Sequence, residues 1–238
     1  MLTDDGRGAG ESTARFVVVA DGVHSPLRSA LGMRWRRRPG QGDYSMIDID
    51  DADAGDRATL FCEPAGLVES FPLPNGRRRW VVRRRVGDEV ETAEGFADTV
   101  ERRVGIRPEV PCGERPSTFR ATQHLADHFV RGRIAPMGDA AHELSPIGGQ
   151  GMNIGWTNAV RFADALPALD GKGAPDLTTW ESGARRAARR AQDRSRFYMA
   201  MGMPLPMVAA GGREAVIRAL GARSMRRRSA DLVTMNGL

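Results

Sequence analysis

The sequence predicts a mixed α/β (α+β) fold, in which strand-turn-helix segments flank a mostly antiparallel sheet and helices occupy the C-terminal part. Three observations carry this. Residues 16–20, Phe-Val-Val-Val-Ala, form a continuous apolar run of the kind buried on both faces in a parallel sheet. Residues 45–85 change to apolar-polar alternation, the period of antiparallel strands. After residue 150, apolar and small residues recur at helical spacing.

Taken in order, residues 4–11 read as a turn containing Gly6, Gly8 and Gly10, so a partner strand is expected before Thr3. The apolar strand stops at Asp21-Gly22. Ser25 then offers an N-cap oxygen, Pro26 takes the first helical position, and Gly32 follows Leu31 as a stop. In the alternating region the strands include Met46-Ile47-Asp48-Ile49, Thr59-Leu60-Phe61-Cys62 and Leu67-Val68-Glu69-Ser70-Phe71. Asn75-Gly76 after Pro74 marks a hairpin between Phe71-Pro72-Leu73 and Trp80-Val81-Val82. A helix is expected over residues 93–104 and a strand over 117–120. Residues 134–137 lead into Gly138-Asp139-Ala140-Ala141-His142, and a proline-glycine loop precedes a helix that places Met152, Trp156, Ala159, Ala163 and Leu166 on one face before Pro167. Thr178-Thr179-Trp180-Glu181 has the form of a capping box at the head of an arginine-rich helix reaching about Met201. A last helix is expected from Arg213 to about Met235.

Bulk properties exclude several classes. Hydrophobic residues at 41% and charged residues at 27% fit a globular chain rather than a disordered or fibrous one. The net charge of +5 comes almost wholly from arginine, since Lys172 is the only lysine. The basic runs at residues 36–38, 77–79, 83–85 and 226–228 are scattered and carry few aromatics, which points to genome composition rather than nucleic-acid binding. Cys62 and Cys112 suit free thiols in a reducing cytoplasm, the expected location. His124 and His128 stand one helical turn apart, but Leu125 occupies the place of a zinc protease's glutamate, so an exposed polar pair is expected and no metal. Met1-Leu2-Thr3-Asp4-Asp5 is acidic and lacks a following apolar stretch, so no secretion signal is expected. The most apolar window, residues 197–210, is broken by Pro204 and Pro206 and falls short of the ~20 residues that span a bilayer.

Two turns carry the chemistry. In each, an acid beside glycine ends a strand: Asp21-Gly22 in the first, Gly138-Asp139 in the second. An acid so placed can accept hydrogen bonds from sugar or ribityl hydroxyls, and the glycine lets a ligand approach the backbone. In the loop that follows, Pro146 fixes the entry while Gly148, Gly149 and Gly151 leave room for a flat ligand. The helix starting near Gly151 turns its N–H groups and positive dipole end toward that loop, which would stabilise the charge that collects on a reduced flavin.

Ala20-Asp21-Gly22 through Ser25 and Arg28 resembles the second FAD and NADPH motif of class A FAD-dependent monooxygenases, the aromatic and polyketide hydroxylases of the para-hydroxybenzoate hydroxylase type. Gly138-Asp139-Ala140-Ala141-His142, with Pro146, Gly149-Gln150-Gly151 and Asn153, resembles their third. The alternating strands between the two occupy the place of that family's substrate-binding sheet. This resemblance implies an incomplete three-layer FAD-binding domain from residues 1–32 and 125–166, a substrate-binding sheet over 33–124, and a C-terminal helical segment over 167–238. It implies that Asp139 binds a ribityl or ribose hydroxyl of FAD, that Asp21, Gly22 and Arg28 lie near the pyrophosphate and the path of the nicotinamide cofactor, and that Gly138 admits the ligand. Pro146, Gly148, Gly149, Gln150, Gly151, Met152 and Asn153 would face the isoalloxazine ring. The implied reaction is reduction of FAD by NAD(P)H and transfer of one oxygen atom from O2 to an aromatic or polyketide-like molecule, as a hydroxylase or epoxidase.

Three departures qualify it. Pro136 stands in a strand where the family has a large apolar residue, so interrupted pairing is expected there. Asn158 replaces a frequent aspartate. No Gly-x-Gly-x-x-Gly is present, so the chain reads as the C-terminal two-thirds of such an enzyme, truncated or supplied with its N-terminal half by a partner chain. The alternative is a non-catalytic paralogue acting as a binding or assembly partner. A flavin halogenase is disfavoured by the lack of a Trp-x-Trp-x-Ile-Pro segment.

Overall fold

Caps and turns set the element boundaries in a computed structural model, which describes residues 2–4, 9–11, 13–51, 55–146, 149, 151–166, 177–222 and 225. Strands β1 (Leu2–Asp4) and β2 (Ala9–Glu11) pair antiparallel, β1 where a strand end is expected and β2 within the residues read as a turn. β3 (Val17–Val19) follows, and then α1 (Pro26–Ala30), capped by Ser25, whose Oγ accepts from the Arg28 N–H at 2.9 Å. Next come β4 (Trp35–Arg37), β5 (Gly42–Asp50), β6 (Thr59–Glu63), β7 (Gly66–Leu73) and β8 (Arg77–Arg83). Asn75 and Gly76 both take positive φ at the hairpin between β7 and β8, the conformation for which this dipeptide is suited.

Helix α2 (Ala93–Val104) has the bounds the sequence predicts, because Thr92 caps its start and Gly105 ends it at a φ of 71°. The chain continues through β9 (Ser117–Ala121), β10 (His124–Ala126), β11 (Ile134–Pro136), a 3-10 turn at Gly138–Ala140 and β12 (His142–Glu143). Three helices remain: α3 (Gly151–Ala165), α4 (Thr178–Met201) and α5 (Met207–Gly221). The last begins directly after Pro206, six residues earlier than expected, and the expected extension toward Met235 lies outside the described residues beyond 225. Glu181, expected in a capping box, accepts instead from the Phe129 N–H at 2.7 Å.

The chain divides into two units, Met1–Arg38, His124–Leu144 and Gly151–Arg190 in the first, and Pro39–Gln123, Ser145–Gln150 and Ala191–Leu238 in the second. The first boundary falls after Arg38 because β4 pairs with β10. α4 contributes to both units.

In the first unit β3 and β11 form a parallel pair, and β12, β10 and β4 form an antiparallel sheet. Its core includes Leu125, Phe129, Met137, Phe162 and Trp180, with the last two rings edge-on at 4.8 Å. The second unit is built on a five-stranded antiparallel sheet in the order β6-β7-β8-β5-β9. On one face Phe96 and Val100 of α2 pack on Ile47, Ile49, Val68, Trp80 and Val82. On the other, Met199 of α4 packs with Tyr44, Leu67, Val81 and Ala121. Each such apolar side chain contributes roughly 1.5–3 kcal/mol. Among the described residues no helix is long and apolar enough to cross a membrane.

Gly95 is fixed by a close approach. A Cβ there would sit 2.1 Å from the Glu89 carbonyl oxygen. Gly95→Ala should therefore lower stability by about 1–3 kcal/mol from overpacking, despite alanine's better helix propensity. Urea denaturation is the measurement. An unchanged or raised midpoint would show that the chain around Glu89 gives way.

Candidate functional site

The two acid-glycine turns leave from neighbouring strands. Parallel β3 and β11 pair Val17 with Ile134, Val18 with Ala135 and Val19 with Pro136. Pro136 does not interrupt the pairing expected to fail there, because the Met137 N–H, one residue on, donates to the Val19 carbonyl at 2.8 Å. Asp21-Gly22 and Gly138-Asp139 thus both follow the carboxyl ends of adjacent strands. Gly22 at a φ of 86° and Gly138 at 57° supply backbone conformations that side chains disfavour, while the space around each would accept a Cβ. α3 approaches the second turn closely, since a Cβ on Gly155 would lie 3.4 Å from the Gly138 Cα.

Asp21 is exposed and accepts weakly from the Leu27 N–H at 3.3 Å. Asp139 is exposed, and its carboxylate receives no hydrogen bond from the described residues. Desolvation raises its pKa above the usual carboxylate range, and the nearby Glu143 charge adds to the effect. A carboxylate so placed is open to a ligand.

Arg28, expected near a pyrophosphate, is bonded to the protein itself. Its guanidinium is 4% exposed, donates to the Ala140 carbonyl at 3.0 Å and the Val23 carbonyl at 2.9 Å, and lies 3.8 Å over the Trp35 ring. Burial lowers its pKa, opposed by the charges of Asp21 and Glu143. The side chain therefore joins the first motif to the second rather than presenting N–H groups to a ligand. Trp35 in turn stacks on His124 at 5.4 Å and 9°, and His124 Nδ1 lies 2.6 Å from Glu143 Oε2. This corrects the pairing of His124 with His128 on an exposed helical face: His124 is on strand β10, so a four-residue spacing does not bring the two together.

His142, at the end of the second motif, is wholly buried against Phe129 at 5.9 Å. Neither ring nitrogen has a partner among the described residues, and burial pushes its pKa down to about 4.

In the following loop the Gly149 N–H donates to the Pro146 carbonyl at 2.9 Å, with Gly149 at a φ of 62°. Gly148 and Gln150 lie outside the described residues. Gly151, Met152 and Asn153 form the first turn of α3, with Met152 70% exposed. Of the face expected inward, Ala159 and Leu166 pack against the core, but the fully buried stripe is another one. Ile154, Gly155, Asn158 and Phe162 point inward, and Met152, Trp156, Val160 and Ala163 are exposed. Asn158 is 3% exposed and its backbone carbonyl accepts from Trp180 Nε1 at 3.1 Å, so the inward stripe includes a polar residue.

Arginines distant in sequence also converge. Arg34, Arg36, Arg38, Arg185 and Arg189 line one cleft of about 500 Å³ in the first unit. Arg34 pairs with Asp127 at 3.0 Å, and Arg185 donates to the Ala126 and Asp127 carbonyls.

Sequence reading missed the interior of the second unit's sheet. Because α2 covers one face and α4 the other, five successive residues of β7 from Gly66 to Ser70 are buried, including Glu69. Tyr44, also fully buried, stacks on Phe119 at 5.3 Å and has its hydroxyl pKa pushed up to about 12 by burial. The signal was present as an acid within the run Leu67-Val68-Glu69-Ser70-Phe71, which alternation assigns to a solvent face.

A family profile described as FAD binding domain matches residues 2–195. The 3-(3-hydroxy-phenyl)propionate/3-hydroxycinnamic acid hydroxylase 2 of Burkholderia vietnamiensis is 34% identical over 199 residues, covering 80% of this chain and 36% of that protein. Ubiquinone hydroxylase UbiL of Rhodospirillum rubrum is 34% identical over 189 residues, covering 73% of this chain and 43% of its own. Among solved structures, CabE, an aromatic hydroxylase from angucycline biosynthesis, matches with a TM-score of 0.70 at 26% identity over 98% of this chain and 51% of that one. This chain thus spans less than half the length of the two curated relatives.

Proposed function

The chain belongs to the FAD binding domain family, and on that premise we propose that it acts in a cytoplasmic FAD-dependent monooxygenase, a hydroxylase or epoxidase that uses NAD(P)H and O2 on an aromatic or polyketide-like small molecule. The observation that carries the reading is the open Asp139 carboxylate beside Gly138, at the same strand ends as Asp21-Gly22. The residues present fit the riboflavin portion of FAD. Asp139, exposed and without a protein donor among the described residues, would accept from a ribityl hydroxyl. Asp21 would face the same ligand from β3. Gly151, Met152 and Asn153, at the exposed start of α3, would offer N–H groups to the ring's electron-rich edge. FAD, when bound, supplies the redox chemistry. The chain's own part is to hold it and keep the substrate dry and oriented. Arg28 acts through Ala140 as a positioning residue. The names of the relatives favour a phenolic ring as substrate.

Flavin fluorescence titration tests this. The 238 residues carry no Gly-x-Gly-x-x-Gly segment for the adenosine diphosphate half, so a Kd in the micromolar range or weaker is expected. Asp139→Ala should weaken it further by about 1–3 kcal/mol, roughly 5- to 150-fold. Equal affinity in the two proteins would remove Asp139 from the site.

A further inference from the structure

We propose that the arginine cleft of the first unit binds a phosphate dianion, either free or as the monoester of a small molecule. The site stands on the geometry of β4, β10 and α4 and needs no flavin.

Side chains alternate along a strand, so Arg34, Arg36 and Arg38 share one face of β4 and its flanking residues, while Trp35 and Arg37 take the other. Leu125, opposite Arg36 in register, lies in the same cleft. Ala184 and Ala188 of α4 pack into the core that includes Leu125 and Ala126, and this brings Arg185 and Arg189, one helical turn apart, to the cleft beside Arg36. The other face of β4 carries the Trp35 ring, covered by Arg28 and stacked on His124. The cleft is therefore on the reverse of the face that Arg28 ties to the two acid-glycine turns.

The charge in the cleft is poorly matched by protein acids. Asp127 is the acid among the lining residues, and both its oxygens are taken by Arg34, from the N–H at 3.0 Å and from Nε at 3.0 Å. Glu181 is close enough to act on Arg185, but its Oε1 accepts from the Phe129 N–H at 2.7 Å. Arg185 spends Nη1 on the Ala126 and Asp127 carbonyls. Burial lowers its pKa, and the charges of Arg189 and Arg36 add to the fall against the pull of Glu181 and Asp127. Arg36 and Arg189 are exposed, and neither guanidinium has a hydrogen bond or ion pair among the described residues. Two open guanidiniums beside a third thus repel one another until an anion arrives. A phosphate monoester carries close to two negative charges and three acceptor oxygens, whereas a carboxylate carries one charge and would leave one guanidinium unmatched. The volume of about 500 Å³ also leaves room for an organic group over Leu125.

Calorimetric titration of the 238-residue chain at low salt, with inorganic phosphate and with phenyl phosphate as probes, tests the site. One equivalent should bind with a Kd below about 1 mM. Arg36→Gln and Arg189→Gln should each weaken it roughly tenfold or more, the loss of one charged donor group. Both side chains are exposed, so each variant should melt where the native chain does. Arg37→Gln removes the same charge from the other face of the same strand and should change the affinity less than about twofold. Equal affinity for the two probes would assign the free ion, and tighter phenyl phosphate an ester. Binding of neither probe would overturn the proposal. So would an equal loss in Arg37→Gln, which would leave only the chain's overall charge of +5 at work, or equal affinity for dimethyl phosphate, a monoanion.

Discussion

Arg28→Ala is expected to cost roughly 3–5 kcal/mol of folding stability, because each of two charge-assisted hydrogen bonds is worth about 1.5–3 kcal/mol and their loss strands two carbonyls. Those carbonyls belong to Ala140 and Val23, one in each motif turn, and the guanidinium also covers Trp35. Arg28→Lys should recover little, since one ammonium cannot serve both acceptors and stack on the ring together. Denaturant unfolding near neutral pH gives the stability, and flavin titration of the same variants gives the consequence for the site. A cost below about 1 kcal/mol would mean that the two turns hold together without this side chain.

His142 should make the fold acid-sensitive in a defined window. Its pKa falls from the ordinary 6.5 to about 4 on folding, so between those values the unfolded chain binds a proton that the folded chain refuses. The stability that depends on neutral His142 is complete above pH 6.5 and is lost as pH falls toward 4, by roughly 3 kcal/mol in total. Glu69 acts with the opposite sign. Its pKa rises from 4.5 to about 7, so its contribution is complete below 4.5 and fades as pH rises through 7. The two slopes oppose each other over the shared interval, and the native profile should be flatter than either group alone would give. Substituting His142 by Gln should therefore unmask a stability that declines with rising pH there. If unfolding curves of the native and Gln proteins run parallel from pH 7 to about pH 4, the imidazole is not the buried neutral group described here.

Elements with local chemical punctuation were legible in the sequence. Thr92 and Gly105 bracket α2, Ser25-Pro26 starts α1, and Asn75-Gly76 turns the hairpin, each through a backbone requirement that few residues meet. What depended on tertiary cover was misread. Trp156 and Met152 looked like the inward face of α3, yet Gly155 is buried because close approach to Gly138 selects small size, and Asn158 is buried where its carbonyl accepts from Trp180. The His124 and His128 spacing suggested a helix, and pairing of β10 with β4 and β12 overrode it. At the site, the residue types of both motifs were readable because acid and glycine at a strand end are tied to local backbone. The inward commitment of Arg28 was not, since its partner Ala140 lies 112 residues away. Glu69 was hidden by its alternating context, as only cover on both faces of β7 makes it buried.

Trp156 gives the molecule an optical handle. Its indole is 64% exposed on the helix that begins at Gly151, while the indoles of Trp80 and Trp180 are shielded at 3% and 8% exposure. Water relaxing around an exposed indole shifts its emission to longer wavelength and lets a dissolved quencher such as acrylamide collide with it. The fourth, Trp35, is partly buried between the Arg28 guanidinium and the His124 ring, so the most exposed, red-shifted indole is that of α3. Any molecule that comes to rest on that helix, a second polypeptide or a copy of this one, would announce itself as a blue shift and a loss of quenching, read without a label and without knowing in advance what the molecule is.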